Sequence, residues 1–416
     1  MTEIREPALF PEPEPEPERS TGELFPPPEP RELEHATGIL PSQLLRDAIE
    51  RTHEIQSLEP IAADQVQPAS LDLRLGKLAH RVRSSFLPGP THTVAEKLCE
   101  MSLHTLDLTQ GAVLEKDCVY VVRLMEHLDL RYRTEGSANP KSSTGRLNVF
   151  ARVITDYGTE FDHIKPNYSG PLYAELSPRS FSIRVRSGSR LVQLRVRRGR
   201  PTSSNAALRR LHEEIGFDIV SPGSPIRREL IEGGLAVTVD VSGSLQKGFV
   251  GYKARKHTPV IDVDLTNYYN VRDFWDPVFK ANKEGIILDP EDFYILASRE
   301  AVAIPTDQAA EMLAYDTLVG EFRVHYAGFF DPGFGMAETG GKGSRAVLEV
   351  RAHEVPFLIE HGQIIGRLVY ERLITRPDKL YGSAIGSSYQ RQGLALSRHF
   401  KPLPAGMRLT QHAADS

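Results

Sequence analysis

The sequence repeats itself, and this repeat limits the folds that the chain can adopt. Four pairs of identical residues lie 174 positions apart: Tyr120 and Tyr294, Glu175 and Glu349, Gly188 and Gly362, and Leu194 and Leu368. Near the start of each half, SLDLRLG (70–76) faces TVDVSG (238–243) at a slightly shorter spacing. Self-similarity at one spacing with matching flanks is typical of duplication. We therefore predict two diverged copies of one domain in tandem.

Each copy has the pattern of a mainly β domain. Apolar and polar residues alternate over four to seven positions in SLDLRLG, CVYVVRL, NVFARVIT, PLYAEL, FSIRVRS and LVQLRV of the first half. Similar runs follow in the second half, including LAVTVDV, PVIDVDL, DFYILAS, FRVHYAGFF, RAVLEV and IIGRLVY. Such alternation, interrupted by Gly, Pro and Ser, indicates half-buried antiparallel strands.

A short helix is predicted before each copy. The stretch ILPSQLLRDAIERTHEI opens with a proline and places Leu44, Leu45, Ile49 and Ile55 on one side of a helix. The stretch PTSSNAALRRLHEEIG (201–216) reads as a Ser-capped helix that Gly216 ends. The predicted domains are 37–200 and 201–375, with a C-terminal arm or lid over 376–416.

Composition narrows the class of protein. The 416 residues carry a net charge of −5, which argues against a general nucleic-acid binder. The basic run RVRRGR (195–200) is interpreted as a solvated strand end. Only Cys99 and Cys118 occur, so a disulfide framework or a Cys-rich metal site is not expected. The Pro- and Glu-rich residues 1–36 predict a disordered tail, and the absence of a leader or long apolar run predicts the cytoplasm.

Three motifs give the chain a resemblance to a known family. They are QPASLDLRLG (67–76), PKSSTGR (140–146) and SSYQRQGLALSR (387–398). Together they resemble dCTP deaminase, a member of the dUTPase-like, β-clip superfamily. The resemblance implies β-clip domains, which are distorted β-barrels or jelly rolls, in a homo-oligomer with active sites between neighbouring domains. The departure is that the usual deaminase has one such domain per chain.

The resemblance assigns different parts of a site to the two halves. The family's phosphate-and-water loop matches Lys141, Ser142, Ser143 and Arg146, with lysine where arginine is usual. The corresponding stretch of the second half, AYDTLVGEFRVHY, has no serine pair and has Glu321 close to the position of the expected arginine. The family's pyrimidine-binding hairpin matches Asp331, Val347 and the catalytic Glu349 of the second half.

The first half keeps Glu175, a second candidate for a catalytic carboxyl, but has Lys165 in place of the hairpin aspartate. The closing arm of the family matches Tyr389 and Gln392, with Tyr381 and Lys379 as their neighbours in the arm. One intact composite site would thus join the first-half loop to the second-half hairpin. Whether the two come from one chain or from two is left open, and the other composite site is expected to be dead or repurposed.

The resemblance implies hydrolytic deamination of dCTP to dUTP and ammonia. Glu349 would carry protons, while Arg146 and Ser142 would fix the water and stabilise charge on the ring. The H-x-E and P-C-x-x-C patterns of zinc deaminases are absent, so no protein zinc site is expected. Mg²⁺ would be coordinated by the triphosphate of the nucleotide. The alternatives are a dUTP diphosphatase, a bifunctional enzyme that forms dUMP, or a non-catalytic nucleotide-binding regulator, and dTTP is a possible effector.

Overall fold

The computed structural model describes most of the chain beyond the N-terminal Pro/Glu-rich segment. The described residues are 36–215, 231–243, 248–280, 285–314, 322–324, 328–336, 339, 343–352, 354–382 and 394–402. The predictions about the tail, the loop 315–321, Tyr389 and Gln392 therefore lie outside the described residues.

The chain is mainly β, as the alternating runs predict. Its helices are Ser42–Glu50, Val94–Met101, Ser142–Gly145, Asn205–Ile215 and Val271–Phe274. None of the helices in the described part of the chain is long and apolar enough to cross a bilayer.

The strands of the first half are numbered β1 to β13. They are β1 (Gly38–Ile39), β2 (Ile55–Ser57), β3 (Leu71–Leu73), β4 (Leu75–Val82), β5 (Ser102–Asp107), β6 (Ala112–Leu114), β7 (Val119–Asp129), β8 (Thr134–Pro140), β9 (Val149–Thr155), β10 (His163–Ile164), β11 (Ser169–Pro178), β12 (Ile183–Val185) and β13 (Val192–Arg198).

The strands of the second half are numbered β14 to β25. They are β14 (Leu235–Thr238), β15 (Phe249–Ala254), β16 (Ile261–Asp262), β17 (Trp275–Phe279), β18 (Ile286–Leu288), β19 (Phe293–Val302), β20 (Gln308–Ala314), β21 (Phe322–Val324), β22 (Phe329–Phe330), β23 (Ser344–Ala352), β24 (Phe357–Ile359) and β25 (Ile364–Arg372).

The two halves use the same strand order. One sheet runs β5-β4-β7-β11-β9 in the first half and β17-β15-β19-β23-β21 in the second. A companion sheet runs β3-β13-β8-β10 in the first half, where β1 also pairs with β13, and β14-β25-β20-β22 in the second. The strands within these sheets pair antiparallel, although most neighbours in a sheet are not consecutive in the chain. Each half thus places its loops and hairpins in corresponding positions.

Individual hydrogen bonds repeat as well. The backbone N–H of Glu115 donates to the Tyr120 hydroxyl over 3.1 Å, and that of Asp289 donates to the Tyr294 hydroxyl over the same distance. Both tyrosines are buried and begin the corresponding strands β7 and β19. A buried tyrosine hydroxyl needs a polar partner, so the tyrosine and its turn form one unit that both halves contain.

A shared core joins the halves. Phe181 of the first half lies edge-on to Phe274 and Trp275 of the second, with ring centroids 5.6 and 5.4 Å apart. Phe400, near the C-terminus, packs edge-on against the same two rings. Aromatic pairs in this geometry contribute beyond the apolar area that they bury. The largest buried cluster therefore contains residues of both halves, and contacts join the described residues from Ala36 onward into one compact unit.

The interpretation of the basic run as a solvated strand end was wrong. Arg195 is fully buried, and it donates to the carbonyls of Ala310 and Phe330 over 3.0 and 3.3 Å. Arg197 pairs with Glu371 over 3.1 Å. Because β13 faces the second half, these guanidinium groups find partners there that a run of charged letters does not reveal. The basic run joins the two halves.

The prediction that Ile55 lies on the first helix was also wrong. The helix ends at Glu50, and His53 then adopts a positive φ of 53° in the turn that follows. Ile55 begins β2 and pairs with Leu128 of β7. It is buried there, which suits a β-branched side chain on a pleated surface. Ile55 is therefore buried, as its apolar side chain predicts, but it lies on a strand and not on the helix.

Candidate active site

The polar loop of the first half is a tight helical turn after a buried strand. Strand β8 ends at Pro140, and the amides of Thr144 and Gly145 then donate to the Lys141 carbonyl over 2.8 and 3.0 Å. The Lys141 ammonium pairs with Asp72, itself almost fully buried. Ser142 and Lys141 stay half-buried at the surface of the turn, whereas Ser143, Gly145 and Arg146 are buried.

The second-half hairpin supplies the other wall. After β22, Gly333 turns the chain at a φ of +91° and donates its N–H to the Ile304 carbonyl over 3.0 Å. The backbone N–H of Tyr381 donates to the Pro332 carbonyl over 2.9 Å, and its ring lies 5.6 Å from that of Phe334. Strand β23 then carries Val347 and Glu349 towards the loop.

Loop and hairpin of the same chain line one cavity of about 520 Å³. Eight of the residues that the sequence proposes line it: Lys141, Ser142, Ser143, Arg146, Asp331, Val347, Glu349 and Tyr381. The loop and the hairpin that line this cavity therefore come from one and the same chain.

The Glu349 carboxyl lies at the join between the halves. It is buried, and a Cβ on Gly145 would lie 2.8 Å from its Oε1 atom. Its Oε2 atom is buried without a hydrogen-bond partner among the described residues. Burial raises the pKa of Glu349 to about 8, and the nearby Arg146 guanidinium opposes that rise. A carboxyl in this state can exchange a proton near neutral pH.

Asp331 is a second perturbed carboxyl in the same cavity. Burial raises its pKa to about 6, and the positive charge of Arg195 opposes the rise. The Arg195 Nη2 and Asp331 Oδ1 atoms are 3.6 Å apart, an ion-pair distance without a close hydrogen bond. Asp72 across the cavity raises the pKa of Asp331 further, while Lys141 lowers it. Asp331 can thus accept a hydrogen bond from a ligand.

Arg146 connects the loop to the C-terminal segment. Its Nη1 atom donates to the Ala395 carbonyl over 3.0 Å. The predicted arm residues Tyr389 and Gln392 lie outside the described part of the chain, but Arg398 lines the cavity. The motif SSYQRQGLALSR contained Arg398, so a signal for this residue existed. The lining residues Arg345 and Phe329 had no comparable signal.

Three residues named from the sequence lie elsewhere. Glu175 is buried and pairs with Arg152, and it does not line this cavity. The Lys165 ammonium donates to the Tyr157 carbonyl over 3.2 Å in an exposed position. Lys379 reaches the first half and donates to the carbonyl of Ala63 over 3.3 Å, outside the cavity lining.

Comparison with known proteins agrees with this arrangement of fold and cavity. The family model described as the 2'-deoxycytidine 5'-triphosphate deaminase (DCD) N-terminal domain matches residues 36–200, and that of the C-terminal domain matches residues 204–400. These matches place the chain in a family of nucleotide deaminases. It belongs to the dCTP deaminase family.

A solved structure and curated relatives show the extent of the similarity. The crystal structure of 2'-deoxycytidine 5'-triphosphate deaminase from Agrobacterium tumefaciens is 52% identical, with a TM-score of 0.78, and the match covers 84% of this chain and all of that one. A Beutenbergia cavernae protein named "dCTP deaminase, dUMP-forming" is 34% identical over 113 residues, 26% of this chain and 55% of that protein. A protein of the same name from Leifsonia xyli subsp. xyli is 29% identical over 184 residues, 39% of this chain and 88% of its own length. The chain therefore spans about half the length of the first of these curated relatives.

Proposed function

We propose that this chain deaminates dCTP by hydrolysis, releasing ammonia and forming dUTP, with Glu349 as the proton carrier. The observation that carries the proposal is the buried Glu349 carboxyl, whose Oε2 atom has no described partner and whose neighbour is Gly145 of the serine loop. Burial holds the pKa of this carboxyl near 8, so its acid and base forms both exist under ordinary conditions. Membership of the dCTP deaminase family supplies the substrate class.

The chemistry follows from the positions of three side chains. Ionised Glu349 takes a proton from a water, and the oxygen of that water forms a bond to C4 of cytosine. Glu349 then passes this proton to N3 of the ring, takes the remaining proton from the new C4 hydroxyl and gives it to the amine, so that the C4–N bond breaks, the C4=O bond forms and ammonia leaves. Ser142 would hold the water, and the Arg146 guanidinium would stabilise charge that develops on the ring. Proton transfer of this kind supplies about 10²–10⁴ in rate, and placement of the water supplies much of the remainder.

The rest of the cavity suits a deoxynucleoside triphosphate. Five cationic side chains are among those that line it: Lys141, Arg146, Arg190, Arg345 and Arg398. Guanidinium and ammonium groups are the usual partners of phosphate oxygens. Ser143, Asp331, Val347 and Tyr381 would complete the nucleotide site, together with the arm residues Tyr389 and Gln392. We expect Mg²⁺ to enter on the triphosphate. Among the described residues, no group of three or more His, Cys, Asp or Glu is placed to hold a metal.

A second candidate function is the bifunctional reaction that continues to dUMP. It is favoured by the printed name of the curated relatives, "dCTP deaminase, dUMP-forming". This reaction would need a second water directed at the α-phosphate, in addition to the one at C4. A dUTP diphosphatase without deamination has weaker support, because the buried Glu349 would then have no amine to protonate.

One turnover assay separates these functions. The purified chain is given dCTP, dCMP, cytidine nucleotides and dUTP separately, and ammonia and pyrophosphate are measured together. Ammonia without pyrophosphate from dCTP supports dUTP formation, whereas equal amounts of both support dUMP formation. Pyrophosphate from dUTP, with neither ammonia nor pyrophosphate from dCTP, would indicate a diphosphatase. Tight dCTP binding without any product would indicate a non-catalytic regulator.

The corresponding strand orders also support a proposal about the origin of the chain. We propose two dUTPase-like β-clip domains, 37–200 and 201–375, followed by an arm, in a cytoplasmic homo-oligomer. The shared strand order and the repeated tyrosine turns favour duplication of one domain. Because one chain already contains a composite cavity, oligomerisation would complete only a second one, where an effector such as dTTP could bind. Light scattering with and without dTTP tests this proposal.

A further inference from the structure

Two buried side chains near the C-terminus form a hydrogen-bonded chain that ends on the serine loop. The Ser397 hydroxyl donates to the Ser143 carbonyl over 2.8 Å, and the same oxygen lies 2.8 Å from His399 Nδ1. His399 Nε2 lies 2.9 Å from the Val263 carbonyl. Ser397 and His399 are each only 2% exposed. The loop, the C-terminal segment and the second half therefore meet through one continuous set of contacts.

The Ser397 hydroxyl is the central group of this set of hydrogen bonds. A carbonyl can only accept, so His399 Nε2 must carry the hydrogen that points to Val263. Burial holds the pKa of His399 near 4, so the imidazole is neutral at pH 7 and its Nδ1 atom is an acceptor. Among the described contacts, Nδ1 and the Ser143 carbonyl thus compete for the single Ser397 hydrogen, which the Ser143 carbonyl receives. Loss of this hydroxyl would leave the buried Ser143 carbonyl without the donor that it has.

The surrounding contacts fix this segment in place. The backbone N–H groups of Tyr268 and Tyr269 both donate to the His399 carbonyl, over 2.9 and 3.1 Å. Phe400 is buried in the shared core, and Arg398, between Ser397 and His399, lines the cavity. Alternate residues thus point inwards as anchors while the residue between them faces the site. The same segment accepts the hydrogen bond from Arg146 at the carbonyl of Ala395.

We propose that Ser397 and His399 are positioning residues that set the geometry of the loop containing Ser142, Ser143 and Arg146. They touch neither the cavity nor any reacting atom, and they act by holding the Ser143 carbonyl and by seating the C-terminal segment against the loop. Neither residue belongs to the site predicted from the sequence. The proposal rests on the proposed function only for its effect on turnover, since the geometric claim concerns the loop itself.

The test compares Ser397→Ala, Ser397→Thr and the control Ser180→Ala. Ser180 accepts a hydrogen bond from Asn148 Nδ2 over 2.9 Å, so its loss disturbs a residue beside the loop but not the Ser143 carbonyl. Hydrogen exchange at the amides of Gly145, Arg146 and Leu147 is measured with dCTP turnover. We expect Ser397→Ala to speed exchange and to slow turnover, each by about tenfold, because a buried hydrogen bond contributes about that factor.

Rescue separates positioning from general destabilisation. Ser397→Thr keeps the hydroxyl and should retain turnover within about threefold of the unchanged chain, whereas a merely structural site would tolerate the extra methyl no better than the alanine. If Ser397→Ala fails to fold, His399→Gln replaces it, since Gln keeps a donor towards Val263 but loses the contact with Ser397. Equal loop exchange in Ser397→Ala and Ser180→Ala would overturn the proposal. Absence of ammonia from the unchanged chain would overturn the proposed function instead, and the exchange result would still decide this inference.

Discussion

The two halves of the molecule place a glutamate at the same point of the same strand pair, and its surroundings differ completely. Glu349 lies opposite Ile295 in the pair of β23 with β19, and Glu175 lies opposite Val121 in the pair of β11 with β7. Both carboxyls are buried. Glu349 faces the loop glycine Gly145 in an open cavity.

Glu175 instead faces an arginine. Its Oε1 atom pairs with Arg152, and the guanidinium carbon of Arg152 lies 3.8 Å from the centroid of the Phe161 ring. A cation held by a carboxylate on one side and an aromatic face on the other is strongly fixed. The comparison shows that an equivalent backbone position can hold either a carboxyl of raised pKa that faces a cavity or half of an ion pair. What lies across from the carboxyl decides which one it is.

The largest expected effect comes from exchanging the two carboxyls for amides. Glu349→Gln should lower kcat for dCTP deamination by about 10³-fold, since an amide cannot carry the proton. Glu175→Gln should leave kcat within about threefold, because Glu175 does not line the cavity. Ammonia release under saturating dCTP measures both. Equal losses in the two variants would break the comparison, because the halves would then have equivalent carboxyls.

A smaller effect is expected from the glycine that faces Glu349. A Cβ at position 145 would lie 2.8 and 2.9 Å from the Oε1 and Cδ atoms of Glu349, so Gly145→Ala should push loop and carboxyl apart. Misplacement of about 1 Å at a reacting centre costs about 10²-fold in rate, and we expect a loss of that size in kcat. Gly328→Ala is the matched control, since Gly328 also lines the cavity but has no atom within 4 Å of an added Cβ. A Gly145→Ala chain with unchanged kcat would show that the loop does not position Glu349.

The pH dependence should follow Glu349. Burial raises its pKa to about 8, and it must be ionised to take a proton from water. We therefore expect kcat/KM for dCTP to rise about tenfold per pH unit below about pH 8 and to level off above it. A profile that stays flat from pH 6 to 8 would contradict the assignment of Glu349 as the base.

The same pKa affects stability with a definite sign. The folded chain binds the Glu349 proton more tightly than the unfolded chain does, so this group lowers the free energy of unfolding as pH rises from about 4.5 to about 8. Glu349→Gln lacks this dependence. We expect its Tm to exceed that of the unchanged chain by about 3 °C or more at pH 8, with the difference absent near pH 4. Thermal melts at both pH values measure it.

Much of the fold could be predicted because the patterns that carry it are local. Alternating runs reported which face of each strand is buried, and the repeat spacing identified Gly188 and Gly362, which share positive φ values of 90° and 85°. Strand β8, with the sequence TEGSANP, escaped prediction because it has almost no apolar letters, yet it pairs along its length with β13. The helix Val94–Met101 did carry a local signal, the capping box of Thr93 and Glu96, which was missed.

The candidate site was predictable where a motif carried it, and only there. Loop and hairpin were found by resemblance, and one chain brings them together. The burial of Arg195, the Ser397 and His399 contacts and the fate of Glu175 depend on groups far away in sequence. The Ser397 contact spans 254 residues, for instance, and no periodicity reports a partner at that range. Such pairs are fixed by how the halves pack, which a single sequence does not encode in any local pattern.

The smallest expected effect on turnover comes from removing Arg152, the ion-pair partner of Glu175. This substitution should mainly change the free energy of unfolding. Arg152→Met should lower the free energy of unfolding by about 2–4 kcal/mol, because it leaves a buried carboxylate without its partner. Turnover of dCTP should stay within about threefold. The double variant Arg152→Met/Glu175→Gln should recover most of the lost stability, as measured by urea unfolding, since neither charge is then left alone. Arg179→Met is the control, because its partner Asp117 is half-exposed and such pairs contribute about 1 kcal/mol or less.

One further outcome of this variant would overturn the contrast between the halves. Removal of Arg152 frees the Glu175 carboxyl from its ion pair. It does not give Glu175 the serine loop that Glu349 faces through Gly145. Arg152→Met placed in the Glu349→Gln background should therefore release ammonia from dCTP no faster than Glu349→Gln alone. Any ammonia above the Glu349→Gln level would mean that the first-half carboxyl retains a water and a nucleotide site of its own. The ion pair between Arg152 and Glu175 would then inactivate a second active site. The Arg152 side chain alone would account for the functional difference between the halves.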